Sequence, residues 1–153
     1  MNNEKNITLL NGLIETSRDG VEGFKKCAED AHDPKLKIYF NDRAKSCEDA
    51  VRTLSDEVRK CGGEPDKSGT TKGALHRVWI DFKTALTSKD NLAVLEECER
   101  AEDVALATYQ EALKEDMPET LRSLISQQLE GVKRNHDRVK QLRDEAEKNP
   151  AKA

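Results

Sequence analysis

The chain has 153 residues, 37% charged and 35% hydrophobic, with 26 basic against 30 acidic side chains and a net charge of −4. That length suits one domain with one proper core, and the apolar residues recur at regular spacing, which favours long amphipathic helices over disorder. The basic residues are dispersed, which argues against a nucleic-acid surface; no apolar run approaches a membrane span, and the start Met1-Asn2-Asn3-Glu4-Lys5 is unlike a signal peptide. The expectation is a cytoplasmic protein.

Residues 4–31 read as a first helix, with Ile7, Leu10, Ile14, Ser17, Val21, Phe24, Ala28 and Ala31 spaced three and four apart in a narrow stripe. Asn3 is its expected cap. Gly20 and Gly23 interrupt it, so a neighbour should approach the backbone closely there. Glu15, Glu22 and Glu29 recur off the stripe, as on a solvated face.

A second helix begins at Asp33-Pro34, a cap followed by proline at the first helical position, and ends at Gly62-Gly63. Phe40, Ala44, Cys47, Val51, Leu54, Val58 and Cys61 form its stripe. The short link between these helices makes them an antiparallel hairpin. Residues 63–70 read as a loop, and Leu75, Val78, Trp79, Phe82, Ala85 and Leu86 predict a short helix over 71–87. The whole connection, 63–88, is far longer than a hairpin turn; its length suits a crossover that lets the second and third helices run parallel.

A third helix is expected over 89–115, with Val94, Cys98, Ala101, Ala105, Thr108 and Ala112 on its stripe. After the turn Asp116-Met117-Pro118-Glu119, a fourth runs over 118–147, lined by Leu121, Ile125, Leu129, Val132, Val139, Leu142 and Ala146. The pattern predicts one all-α domain over 1–153, a ferritin-like four-helix bundle.

Chemistry is sparser. A carboxylate-bridged di-metal bundle draws a Glu from one helix of each hairpin and Glu-x-x-His from the other. Here Glu48 is followed by Val51 where the histidine belongs, and Lys133 stands where a glutamate should precede His136. Polar residues nonetheless fall near the interior: Glu102 among Cys98, Ala101 and Ala105, and His136 between Val132 and Val139. Antiparallel third and fourth helices would bring Cys98 and Glu102 level with His136, with Cys47 at a similar height. Thiolate, imidazole and carboxylate together suit zinc, iron or manganese, so Glu102, His136, Glu99 and Cys98 are the candidate metal ligands. The plainer alternative is a hydrogen bond from His136 to Glu102 or an Asn that satisfies a buried polar group. The four cysteines form no CxxC pair and read as structural thiols in a reducing compartment.

The segments Leu9–Gly20, Leu75–Lys83 with its His76-Arg77-Val78-Trp79, Glu97-Cys98-Glu99-Arg100-Ala101-Glu102-Asp103 and Asn135-His136-Asp137-Arg138 resemble a bacterial family of ferritin-like four-helix-bundle proteins, the domain of unknown function numbered 2383. Ala101 departs from the family's form, where a glycine is usual. The resemblance implies the fold and a bacterial origin and supplies no reaction. It marks His76, Arg77 and Trp79 as a packing signature for the connection. The expectation is a non-catalytic, stress- or assembly-related homo-oligomer that binds no nucleic acid; the alternative is a metal-binding or oxidoreductase bundle with its site between the helices.

Overall fold

A computed structural model of the chain describes residues 3–66 and 91–148. Among these, four α-helices and no strand occur: α1 (Asn3–Asp30), α2 (Pro34–Lys60), α3 (Asn91–Ala112) and α4 (Glu119–Lys148). The two longest, of 28 and 30 residues, span roughly 42–45 Å at 1.5 Å per residue.

Local chemistry sets the boundaries. Asp33 is extended, and its carboxylate accepts from the Lys35 N–H at 2.9 Å, with Pro34 at the first helical position where no N–H is wanted. At the other end of α2, Gly62 takes φ +86°, a left-handed conformation costly for any residue with a Cβ. The turn that follows satisfies two orphan carbonyls: Gly62 N–H donates to Arg59 and Gly63 N–H to Val58, both at 3.0 Å. α3 stops at Ala112, short of the expected 115. There Lys114 and Glu115 N–H groups reach back three residues, to Glu111 and Ala112, tightening the last turn. Arg122 of α4 then closes the end, donating to the Leu113 and Glu115 carbonyls at 2.7 and 2.8 Å.

Side-chain pairs fix the helix directions. Lys25 meets Glu48 at 2.8 Å while Gly63, just past α2, lies against Ile7, so α1 and α2 are antiparallel. Glu99 meets Arg143 and Tyr109 meets Gln128, so α3 and α4 are antiparallel too. Between the hairpins the numbers rise together: Asp33 with Asn91, Tyr39 with Cys98, Arg43 with Glu102. α2 and α3 therefore run parallel, and the end of α2 lies at the opposite end of the bundle from the start of α3. The first residues after α2 turn back along α1: Asn11 donates to the Glu64 carbonyl and accepts from the Asp66 N–H, and Arg18 donates to the Asp66 carbonyl. The helix expected over 71–87, with His76, Arg77 and Trp79, lies outside the described residues.

The core forms two clusters. One, at the end where α2 and α3 begin, holds Phe24, Tyr39, Phe40, Leu36, Val94, Leu95, Cys98 and Val139. The other holds Leu10, Leu13, Ile14, Leu54, Val58, Tyr109, Leu121, Ile125 and Leu129. Leu13 and Cys27 are buried beyond the narrow α1 stripe, because α1 packs on both α2 and α3 and so buries a wider face. Where α1 crosses α2, a Cβ on Gly20 would lie 2.7 Å from the Cys47 sulfur: the close approach expected there is with Cys47.

Candidate functional site: a buried ion pair between the parallel helices

Tyr39, Arg43 and Cys47 are four apart on α2, as are Cys98 and Glu102 on α3, so each set stacks along one face of its helix. The parallel packing of the two helices turns these faces together. Arg43 Nε donates to Glu102 Oε2 at 3.0 Å and Arg43 Nη2 to Oε1 at 2.9 Å, a two-pronged pair. Tyr39 OH adds a third donor to Oε2 at 3.2 Å, and the Cys98 thiol leans on the Tyr39 oxygen at 3.4 Å. The ion pair is buried: the Arg43 and Glu102 side chains are 6% and 1% exposed. Phe24 lies under the guanidinium at 5.0 Å and meets the Tyr39 ring edge-on, while Arg138 of α4 covers Tyr39 at 5.5 Å.

The electrostatics follow from this enclosure. Burial works against charge on Arg43, but the Glu102 carboxylate outweighs it, with Cys47 and Tyr39 adding, and holds the guanidinium above even its ordinary range. Burial pushes the Tyr39 phenol well up, and Cys98 and Glu102 beside it push the same way. Cys47 is pushed up to about 11, chiefly by burial, and Cys98 is raised by burial and then by Glu102. Both thiols are therefore protonated near neutral pH and are poor nucleophiles.

The four candidate ligands separate into two pairs. Cys98 and Glu102 face α2. Glu99 faces α4, where its carboxylate meets Arg143 at 2.8 Å, and His136 Nε2 binds Asp103 at 2.5 Å. The level expected for His136 holds, but it meets the residue next to Glu102, about 100° around the helix. Cys47 reaches Gly20 and the Arg43 side of the cluster. Among the described residues, no three His, Cys, Asp or Glu side chains group as a metal cage. Sequence reasoning placed Glu102 in the interior and missed Arg43, Tyr39 and Arg143 as partners. The available signal was register: with the two helices level at Asp33 and Asn91, an offset of about 59 sets Arg43 opposite Glu102.

A second feature opens beside the pair. A cleft of about 570 Å³ lies between α2 and α4, floored by Ser17, Arg43, Cys47, Ala105 and Tyr109. Tyr109 is 3% exposed, and burial pushes its phenol up to about 12, against the Ser17 hydroxyl beside it. Its OH donates to Gln128 Oε1 at 2.8 Å.

Fold and site together define an all-α four-helix bundle with a parallel central pair and an arginine–glutamate pair locked in its core. Residues 5–115 match the family model described as a domain of unknown function (DUF2383), and the chain belongs to that family. The match takes in α1 to α3 and ends before α4, so Asn135–Arg138 lies beyond it. No curated protein matches the chain. No described helix is long and apolar enough to cross a membrane.

Proposed function

We propose that the protein is a non-catalytic, ferritin-like bundle in which an arginine supplies the interior positive charge that a metal supplies in di-metal relatives of that architecture. It acts as an assembly- or stress-related module of the bacterial cytoplasm and self-associates through its helix faces. The observation that carries the reading is the two-pronged Arg43–Glu102 pair with Tyr39 as third donor, which takes three hydrogen-bonding positions of the Glu102 carboxylate buried between α2 and α3. Glu99, the other inward acid on α3, has Arg143 as its counter-ion. A metal would have to displace a cation already in place and deprotonate thiols that burial keeps protonated. The donor set does not fit a di-iron centre.

Elemental analysis of untagged protein tests this. The expected result is sub-stoichiometric iron, manganese and zinc, unchanged in Glu102→Gln; a stoichiometric metal lost in that variant would overturn the reading in favour of a metal-binding bundle. Light scattering tests the assembly part, which a strictly monomeric species would remove.

A further inference from the structure

The cleft between α2 and α4 presents donors that have no partner among the described residues. Tyr109 OH takes the Gln128 carbonyl oxygen, so the end of that amide left over is its NH2. Neither that NH2 nor the Asn135 carboxamide, one heptad further along the same wall, bonds a described residue. Charge points the same way. Glu102 neutralises Arg43 in the floor, and the Asp49 carboxylate in the lining has Arg52, outside it, as its counter-ion at 3.4 Å. Arg134, also in the lining, has no carboxylate partner among the described residues. Beside the Ser46 and Thr53 hydroxyls and Gln127, the lining thus offers one guanidinium, the Gln128 amide held by Tyr109 and the Asn135 amide, above an apolar bed of Ala50, Ala105 and Val132.

We propose that this cleft binds a small organic monocarboxylate, its carboxylate held by Arg134, Gln128 and Asn135 and its short apolar body lying on Ala50, Ala105 and Val132. The volume falls in the range of small-molecule sites, and a planar guanidinium matches the two-oxygen geometry of a carboxylate, to which amide N–H groups in the same lining can add hydrogen bonds. Tyr109 acts as a positioning residue, because its hydrogen bond decides which end of the Gln128 amide the ligand meets. The site does not depend on the metal-free reading of the core: a metal at Glu102 would leave Arg134, Gln128 and Asn135 where they are.

The test is an NMR titration of the full chain with hexanoate, following the side-chain amides of Gln128 and Asn135. Hexanamide and hexylamine serve as the neutral and cationic probes of the same body. The expected result is a saturable shift of both amides with hexanoate, with binding at least about tenfold weaker for hexanamide and for hexanoate in Arg134→Gln. Arg134 is exposed, so that variant keeps its fold, checked by its melting curve. The proposal is overturned if hexanoate moves neither amide, if hexanamide or hexylamine binds as well, or if Arg134→Gln leaves hexanoate binding unchanged.

Discussion

The two ends of the bundle are built on different principles. Around Leu10, Leu13, Ile14, Leu54, Val58 and Ile125 the core is aliphatic, and many interlocking shapes would fill it. Around Phe24, Tyr39 and Phe40 it is aromatic and encloses a charge pair whose geometry tolerates one register of α2 against α3. The aliphatic end supplies burial. The aromatic end also specifies alignment, at the cost of desolvating two ions. Stability and specificity are thus drawn from opposite ends of one molecule.

Substitutions sharpen that contrast. The largest effect is expected from Glu102→Leu, which strands the Arg43 charge in the core: about 3–5 kcal/mol by urea unfolding. Replacing the whole polar set, Tyr39→Phe with Arg43→Met and Glu102→Leu, should recover most of that loss, since apolar groups of similar volume substitute well for buried ions. A triple variant no more stable than Glu102→Leu would show that the pair contributes net stability and would break the comparison. Leu54→Ala, at the aliphatic end and fully buried, should cost about 2–4 kcal/mol through lost burial and a cavity, with no compensating second change of the kind the polar end allows.

Gly20→Ala comes next, at the junction of the two ends. Its new Cβ meets the Cys47 sulfur, so a loss of about 1–3 kcal/mol is expected, largely relieved when Cys47→Ala is added. Additive losses would mean that Cys47 is not the obstacle.

The smallest effect is pH-dependent. Glu15 on α1 is pushed up to about 7 by a hydrogen bond to Asp66, then by burial and by the Asp66 and Asp19 charges. Its folded value lies above its ordinary one of 4.5, so the stability it lends is complete below the ordinary value and is lost as pH rises through about 7. Glu15→Gln should therefore melt higher than wild type at pH 8 and close to it at pH 5. The gain is below about 1 kcal/mol because water screens this partly exposed site. Equal differences at both pH values would remove the Glu15–Asp66 coupling.

These particulars also show what the residues alone could convey. Asp33-Pro34, Gly62-Gly63 and the three–four spacing of apolar residues act within one helix turn of themselves, so the helices and most of their ends were legible. The parallel direction of α2 and α3 followed from the reach of residues 63–88. Glu102 was legible as an interior acid from its neighbours Cys98, Ala101 and Ala105. Its partner was not, because a charged side chain reads as solvent-facing even four residues before Cys47, and only the register between distant helices sets Arg43 opposite Glu102. His136 illustrates the finer limit: a one-residue change of position turns a helix face by about 100°, and His136 met Asp103 where Glu102 was one candidate. Glu15 departed from the solvated face of Glu22 and Glu29 because the chain after α2 folds back over it.

The Arg43–Glu102 contact joins residues 59 apart in sequence, whereas each hairpin closes through a short turn. Each hairpin is therefore closed at a small entropic cost from near neighbours, whereas docking one hairpin on the other closes a much longer loop. At that contact both ions must give up their water, so joining the halves carries a desolvation cost that the two-pronged geometry offsets in one alignment.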